Sequence, residues 1–381
     1  MVLLLIAVAA YPWSFYYLMQ HPLAGSPALF SAAFMTMRRV PMSEVAVGGG
    51  RGVLRARPGA QAGPAPAAVD ARRALQLVLA AIWLFDGVLQ YQSFMYTKAF
   101  AQMLGGTADG NPPVVARPIT WDASLVAHHL ILLNTLFATI QLLLGLGIAF
   151  RPTVRVALAA SVAWSLGVWW FGEGLGGVLS GGADPLNGAP GAVIIYALIA
   201  VLLWPADRAG ERPPFTAARA VGGRLARALW LVLWLSQAYF ALAPGNRAPE
   251  AASGMITGMR GGEPAWLQSL MRAAASLTAH QGLATSVALA VTFAVIAAGV
   301  YLPAPAAKAT LTLAIVVSAV IWVFAQALGG ILASGATDVN SGPLLALLAL
   351  TYWPAGPAGQ ADDEAAPSPV ALTAHAEEKL A

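Results

Sequence analysis

Two carboxylates and a pair of histidines lie in or beside long apolar stretches of this chain. They are Asp86, Glu173, His128 and His129. An ionisable group at membrane depth costs several kcal/mol unless it is paired or faces a cavity, so each is a candidate functional residue. Because a carboxylate and a histidine in a low dielectric can take up and release protons, the set predicts a site that exchanges protons with a bound molecule.

A metal centre is the weaker interpretation of the same residues. Two histidines and two carboxylates are suitable ligands for a divalent ion. However, adjacent residues on a helix point about 100° apart, so His128 and His129 cannot easily bind one ion. The sequence has no cysteine, which excludes a thiolate zinc site, a catalytic thiol and a cysteine-bound iron–sulfur cluster. We therefore expect no metal.

The composition is that of a protein embedded in a lipid bilayer. Hydrophobic residues make up 58% of the chain and charged residues 10%, whereas a soluble chain carries about 25% charged residues. The mean hydropathy is +0.68, and several uncharged runs approach the roughly 20 residues that cross a membrane as a helix. The basic residues behind the net charge of +4 lie mostly in short loops beside these runs, so no nucleic-acid partner is expected.

Apolar segments recur along the whole chain. An N-terminal membrane anchor at 1–37 crosses once or twice and is followed by a disordered linker at 38–71. Eight further apolar segments span residues 74–92, 124–149, 155–178, 190–205, 228–244, 279–302, 309–332 and 343–354. The fourth and eighth are short for a span, so we expect them to extend into their loops or to tilt. A disordered acidic tail occupies 356–381.

The distribution of cations orients these segments. If each of the eight crosses once and the linker at 38–73 is cytoplasmic, 16 of the 21 Lys and Arg residues fall inside and 5 outside. A bias of cations toward the cytoplasm is the strongest orientation signal in a sequence. We therefore predict a multi-pass protein of the cell membrane, with the linkers at 38–73 and 206–227 and the C-terminal tail in the cytoplasm.

The chain repeats itself with an offset of about 153 residues. Residues 169–190 match residues 322–343 at 10 of 22 positions, and "RALQLVL" (73–79) recurs as "RALWLVL" (227–233). We therefore predict an all-α integral membrane protein with two tandem, parallel four-transmembrane-helix bundles plus the N-terminal membrane segment. The predicted units are 72–206 and 226–355, joined by a basic cytoplasmic linker at 207–225.

The two units differ at the ionisable positions. Three positions change from Asp86, His129 and Glu173 in the first unit to Phe240, Gln281 and Gln326 in the second. The second unit is therefore interpreted as a degenerate copy that lost its carboxylates and serves the architecture. In the first unit, the predicted topology places the polar residues in the outer part of the bundle. This predicts an outward-facing polar pocket.

Seven residues are assigned to this pocket. We assign proton chemistry to Glu173, His128 and Asp86, and contact with the bound molecule to His129, Gln90, Trp170 and Asn187. Structural roles stand beside these assignments. His128 and Asn187 recur in the second unit, which favours a structural hydrogen bond for the histidine and turn chemistry for the asparagine. Trp170 also fits an interfacial aromatic belt.

The start of the first unit carries a family resemblance. The stretch "RRALQLVLAAIWLFDGVLQYQSFMYTKAF" has arginines before an apolar helix, Gly87 near the outer end of that helix and a long loop after it, and "GLGI" follows at 145–148. These features resemble the DoxX-like family, which includes the DoxD-type membrane subunit of thiosulfate:quinone oxidoreductase. The resemblance covers 72–206 and, more weakly, 226–355. It implies a membrane subunit of an oxidoreductase system with a redox protein as partner. The pocket is then expected to bind a quinone or a small sulfur or carbonyl compound, and the proton chemistry of its residues suits a quinone headgroup.

Two other functions are compatible with the sequence. A transporter needs a polar path through the whole membrane, whereas the intramembrane polar residues here cluster on the outer side. A structural or assembly protein without its own chemistry would tolerate substitution of every residue that distinguishes the two units. The sequence has no nucleotide-binding loop, haem-attachment motif or hydrolase constellation, so a self-sufficient enzyme is not expected.

Overall fold

A computed structural model of the chain describes residues 70–207 and 213–354. The predicted membrane anchor at 1–37, nearly all of the linker at 38–71 and the acidic tail at 356–381 lie outside the described residues. Residues 70–207 are called the first half below, and residues 213–354 the second half. Their helices all belong to one compact unit.

Every regular element longer than a single bridge among the described residues is a helix. In the first half the α-helices are α1 (Ala71–Leu89), α2 (Lys98–Gly106), α3 (Pro113–His128), α4 (Leu130–Ala149), α5 (Val154–Phe171) and α6 (Ala192–Leu202). In the second half they are α7 (Thr216–Val221), α8 (Gly223–Ala241), α9 (Ala251–Gly258), α10 (Ala265–Thr278), α11 (Gly282–Gly299), α12 (Ala304–Phe324) and α13 (Ser341–Thr351). Short 3-10 turns join several of them.

Four helices are long and apolar enough to cross a membrane: α4, α5 with the turn before it, α11 and α12. Large apolar side chains on these helices point away from the rest of the protein. Leu132 is 67% exposed, Val156 74% and Val291 59%. In water such surfaces would drive aggregation, whereas in lipid they need no cover. The described part of the chain is therefore all-helical and has the character of a multi-pass membrane protein.

The structure divides two predicted segments differently from the sequence analysis. The segment expected at 124–149 is interrupted at His129, whose backbone leaves the helical region between α3 and α4. The loop expected after α1 is largely helical, since it contains α2 and the start of α3.

The helices α6 and α13 are shorter than a membrane span. Each has 11 residues, which corresponds to about 16 Å against the roughly 30 Å of a hydrocarbon core. Irregular chain at 172–191 and 325–340 precedes them. Such chain is tolerated at membrane depth only where other parts of the protein satisfy its backbone polar groups.

Matched helix pairs build the two halves. The helix α1 packs along α4 as α8 packs along α11, and α5 packs on α6 as α12 packs on α13. Small residues allow the close approach in the first pair: a Cβ at Gly87 would lie 2.8 Å from the Leu142 side chain, and one at Gly145 would lie 2.8 Å from the Ala80 carbonyl oxygen. This contact fixes the faces of α1 and α4 that carry polar residues.

Contacts between the halves come from the short helices. The helix α13 packs on both α6 and α1, and one hydrophobic core runs through helices of both halves. Its largest fully buried side chains include Trp230, Trp234, Tyr196 and Tyr352. A residue in the second half can therefore lie beside the polar residues of the first.

A repeated arginine makes the same contact in each half. Arg73, before the apolar part of α1, donates to the Ile148 carbonyl at the end of α4, at 2.9 Å. Arg227, before the apolar part of α8, donates to the Val300 carbonyl at the end of α11, at 3.2 Å. A cation at a helix C-terminus satisfies carbonyls that have no partner within the helix. The recurrence of "RAL" in the sequence thus corresponds to a recurring tertiary contact.

A repeated tryptophan makes an equivalent hydrogen bond to the irregular segment of each half. The indole of Trp169 donates to the Pro190 carbonyl at 2.6 Å, and that of Trp322 donates to the Val339 carbonyl at 2.8 Å. The chain between each tryptophan and its acceptor passes through left-handed backbone at matching positions, among them Gly176 in the first half and Gly329 in the second. The two stretches therefore fold alike locally.

Candidate functional site

A cavity of about 300 Å³ lies in the first half, between α1, α4, α5 and α6, with α2, α3 and the segment before α13 as further walls. Aromatic rings form much of its wall: Trp83, Phe100, Phe137, Trp164 and Phe171. Two of these rings, Phe137 on α4 and Trp164 on α5, lie 5.8 Å apart between their centroids. The space is therefore lined chiefly by flat apolar surfaces.

The polar lining is acidic or neutral. Its members are Asp86, Gln90, Asp122, Gln141, Glu173, Tyr196, Thr337 and Asp338. No Lys, Arg or His of the described residues lines the cavity. An anionic ligand would find no countercharge there, so the lining favours a neutral or cationic molecule.

Asp86 is the most buried carboxylate of the site. Only 1% of it is exposed, and its Oδ2 accepts a hydrogen bond of 2.5 Å from the Tyr196 hydroxyl. Trp83 packs on Tyr196, with 4.4 Å between the ring centroids. The second oxygen, Oδ1, has no hydrogen-bond partner by standard geometry, although the backbone of Val339 lies close enough to interact with this carboxylate. Asp86 thus has spare hydrogen-bonding capacity at the cavity.

Glu173 has a different position. Its two carboxylate oxygens lie 3.2 and 3.4 Å from the backbone nitrogen of Val193, at the start of α6. The first turn of a helix has free N–H groups and a partial positive charge, so a carboxylate there is favourable. A Cβ at Gly191 would overlap the Glu173 carboxylate, which explains the glycine at that position. Glu173 therefore caps the N-terminus of α6 and also lines the cavity.

The second half shows why the carboxylate of Glu173 is replaced by an amide, Gln326, in the second copy of the repeat. With the 153-residue offset, α13 begins at the position of Gly188, about one turn earlier than α6 begins. The backbone groups that would face a carboxylate are thus inside the helix. Gln326, which is fully buried, instead donates to the Ser341 hydroxyl at 2.8 Å. The difference between Glu173 and Gln326 follows from where each short helix starts.

This explanation predicts that exchanging the two side chains destabilises the protein unequally. Gln326→Glu places a carboxylate in a fully buried site without backbone donors, so we expect it to lower the free energy of unfolding by about 2–4 kcal/mol. Glu173→Gln keeps one acceptor for Val193 and is expected to lower it by about 1 kcal/mol. Thermal unfolding in detergent measures both. Equal losses, or a larger loss for Glu173→Gln, would contradict the capping explanation.

The second half contributes a carboxylate that the sequence analysis did not place at the site. Asp338, in the irregular segment before α13, lines the cavity of the first half together with Thr337. Its oxygens accept from the Asn340 amide at 2.6 Å and the Thr337 hydroxyl at 2.9 Å, and burial raises the pKa of this carboxyl. The interpretation of the second half as a copy without carboxylates is therefore wrong at this position.

A hydrogen bond ties the two halves together beside this carboxylate. The side-chain amide of Gln90, at the end of α1, donates to the Thr337 carbonyl at 3.1 Å. Gln90 is 4% exposed. The cavity is thus closed on one side by chain from the second half, and both halves form the candidate site.

The structure brings together three of the seven predicted site residues. Asp86, Gln90 and Glu173 line the cavity. The other four do not line it. His128 and His129 are exposed at the break between α3 and α4, and the His128 ring bonds to the Ser124 carbonyl at 2.7 Å. Trp170 is 40% exposed beside Phe171, and Asn187 is exposed in the turn Pro185–Asn187. The roles predicted for these four residues find no support in their positions.

Several polar residues of the cavity were not predicted from the sequence, among them Tyr196 and Gln141. Both lie on strongly apolar helices, where a single hydroxyl or amide does not stand out from its neighbours. A signal for Asp338 was present: it is the acidic residue of the second copy of the repeat, at the position of Pro185 in the first. Its location at the site could be recognised only from the packing of α13 on α6 and α1.

Compared with known proteins, the chain matches no family model, no curated protein and no solved structure. The resemblance to the DoxX-like family stays a prediction.

Proposed function

We propose that this protein binds a small ring compound of the quinone type in the cavity, and that it does so as the membrane subunit of an oxidoreductase system. The observation that carries the proposal is the position of the Asp86–Tyr196 pair against the aromatic wall of the cavity. A ring stacks on aromatic walls, and the pair supplies hydrogen bonds and protons at its edge.

The size of the cavity supports a compact ligand. Its volume of about 300 Å³ is at the small end of the range of roughly 300–1,000 Å³ that is typical of small-molecule sites. This is room for one substituted ring. A long apolar tail of such a compound would have to leave the cavity beside exposed apolar side chains. Met103, which lines the cavity, is 40% exposed, and Leu166, next to the lining residue Gly167, is 46% exposed.

The proton role belongs to Asp86 and Tyr196. Asp86 accepts from Tyr196 through one oxygen, and its other oxygen has no partner by standard geometry, so the carboxyl can accept a proton from a bound hydroxyl or return one. Glu173 and Asp338 hold backbone amides with their oxygens and serve mainly to shape the cavity. The histidines at 128 and 129, exposed at the surface, have no part in this scheme.

The same proposal includes the architecture. Two tandem, parallel four-helix units at 72–206 and 226–355 would place the cavity toward the outside of the cell membrane, with the linkers at 38–73 and 206–227 and the tail in the cytoplasm. The arginine and tryptophan contacts that recur with the sequence repeat support the two units. The distribution of cations supports the orientation. A redox protein partner would dock on the outer face.

A cavity-filling substitution tests the proposed binding. Gly167 on α5 lines the cavity, and a Cβ at this position meets no atom within 4 Å. Gly167→Phe should therefore fold normally, fill the cavity and weaken the equilibrium binding of a radiolabelled short-chain benzoquinone at least tenfold. Leu166→Phe, at the neighbouring residue that is 46% exposed, is the matched control and should bind as the parent does. Unchanged binding by a folded Gly167→Phe protein would overturn the proposal.

A further inference from the structure

The carboxyl groups of the cavity have no positive charge beside them. Four of them line it, together with no Lys, Arg or His of the described residues: Asp86, Asp122, Glu173 and Asp338. A carboxylate away from water is costly unless a positive charge compensates it. Because the described lining supplies no such charge, the compensation has to come from a proton or from a bound cation.

Asp338 lies at the centre of this acidic lining. Its carboxyl is close enough to those of Asp86 and Glu173 for mutual repulsion. Glu173 and Asp338 keep part of their surface accessible although protein surrounds both, so this surface faces the space of the cavity. Neighbouring carboxyl groups disfavour each other's ionisation, and a cation among them removes that penalty.

The aromatic walls determine which kind of cation fits. Six rings line the same space: Trp83, Phe100, Phe137, Trp164, Phe171 and Tyr196. The faces of such rings attract organic cations, and cages of aromatic rings bind quaternary ammonium groups. A metal ion instead needs several ligand atoms at once, and within the part of the chain that the structure describes no group of three or more His, Asp and Glu side chains could hold one. The cavity therefore suits an organic cation.

The second half shows that the helix packing does not require these acidic residues. The equivalent space between α8, α11, α12 and α13 has a volume of only about 10 Å³, and no carboxyl group lines it. Uncharged residues stand in the second half at the positions of Asp86, Asp122 and Glu173, namely Phe240, Ala274 and Gln326. The open cavity and the acidic lining thus occur together, as expected of a binding site.

From these observations we infer that the cavity binds an organic cation, a quaternary or protonated amine on a small apolar group, with its positive charge beside Asp338. The apolar group then packs against the aromatic rings, and the volume of about 300 Å³ has room for one ring and one ammonium group. The inference goes beyond the proposed function, because it assigns to the same cavity a second class of ligand that competes with the quinone-type ring.

Equilibrium dialysis of a matched pair of compounds tests the inference. The probes are phenyltrimethylammonium and tert-butylbenzene, which has the same shape with carbon in place of the charged nitrogen. The full-length protein in detergent is dialysed against micelles without protein, so that partitioning into detergent cancels. The cation should bind at least tenfold more tightly, which corresponds to about 1.4 kcal/mol. Equal affinities would overturn the inference, as would cation binding that persists in a folded Gly167→Phe protein, whose cavity is filled.

A substitution shows whether the charge of Asp338 attracts the ligand. In Asp338→Asn the new side chain keeps its size, can accept from the Asn340 amide and can donate to the Thr337 hydroxyl, so the local structure is retained. It should weaken binding of the cation about tenfold and leave binding of tert-butylbenzene within twofold. An unchanged affinity for the cation, or an equal loss for both compounds, would contradict a charge contact at this residue.

Asp184→Asn is the matched control for this variant. Asp184 lies in the irregular segment of the first half and, like Asp338, accepts from the amide two residues further on, here Leu186 at 2.9 Å, but it does not line the cavity. Its variant should bind the cation as the parent does. The same loss of affinity in both variants would show an effect on the irregular segments and would overturn the assignment to Asp338.

The inference and the proposed function can fail separately. The radiolabelled benzoquinone is measured on the same preparations as the cation. If the benzoquinone binds and phenyltrimethylammonium does not, the inference fails and the proposed function stands. The reverse result would overturn the proposed function and support an organic cation as the ligand of the cavity.

Discussion

Replacing Asp86 with leucine is expected to weaken the binding of a short-chain hydroquinone, the reduced form of the proposed ligand, about 10- to 100-fold while leaving the protein at least as stable as the parent. The loss of affinity follows from the removal of a charged acceptor, whose hydrogen bonds contribute about 1.5–3 kcal/mol. The gain or constancy of stability follows from burial. A carboxylate that is 1% exposed and only partly hydrogen-bonded costs desolvation energy, and an apolar side chain of similar volume removes that cost.

The second half supports this expectation for stability. Phe240 occupies the position of Asp86 in the repeat and is buried there, so the local packing accepts an apolar residue. Ligand affinity and thermal stability should be measured on the same preparations. We therefore expect the affinity to fall while the thermal stability rises or stays unchanged. This divergence is typical of a functional residue and not of a structural one.

Two further variants serve as a comparison and a control for Asp86→Leu. Tyr196→Phe removes only the hydroxyl that donates to Asp86 and should weaken binding about threefold to tenfold. Asp109→Leu changes an exposed carboxylate that does not line the cavity and should leave binding unchanged. An affinity equal to that of the parent in a folded Asp86→Leu protein would contradict the proposed contact between Asp86 and the ligand.

Gly176→Ala is expected to lower the free energy of unfolding by about 3–5 kcal/mol, the largest loss of stability that we predict. Gly176 has a φ of 62°, a left-handed conformation that costs a residue with a side chain about 1–3 kcal/mol. A Cβ at this position would also overlap the Pro190 carbonyl. Because the Trp169 indole donates to that carbonyl, the backbone cannot move away without losing a further hydrogen bond.

Two other glycines give a graded comparison. Gly329, the counterpart of Gly176, also has a positive φ, but its Cβ would lie 2.9 Å from the Val339 oxygen, so alanine should cost less there. Gly254 lies in α9 with nothing within 4 Å of a Cβ, and alanine should stabilise that helix by about 0.5–1 kcal/mol. Unfolding in detergent should rank the losses in the order 176, 329, 254. A Gly176→Ala protein as stable as Gly254→Ala would contradict the described backbone of this segment.

Hydropathy predicted the four long apolar helices α4, α5, α11 and α12 because the bilayer imposes a simple rule of length and composition. It did not predict the break at His129, where the chain leaves an apolar run without a proline or glycine to mark it. It also left open the form of the short segments, which the structure resolves as 11-residue helices that follow irregular chain. Apolarity alone does not distinguish a helical residue from an irregular residue packed against protein.

The candidate site was predicted in part for a similar reason. The rule that an ionisable residue inside an apolar segment is functional found both Asp86 and Glu173. It could not tell that Asp86 pairs with Tyr196 at the cavity whereas Glu173 caps the start of α6, since this depends on where a helix begins. It could not place Asp338 at all, because more than 150 residues of sequence separate it from the nearest of the two.

Photoaffinity labelling tests the central claim, that the cavity holds a small ring compound, most directly. A radiolabelled azido-hydroquinone would be activated on the purified full-length protein, and the labelled peptides would be mapped by mass spectrometry with and without Gly167→Phe. We predict labelling of residues that line the cavity within the segments 98–104 and 163–173, such as Phe100, Trp164 and Phe171, and loss of this labelling in the Gly167→Phe protein. Labels scattered over lipid-facing positions such as Leu132 and Val156, and unaffected by Gly167→Phe, would contradict the claim.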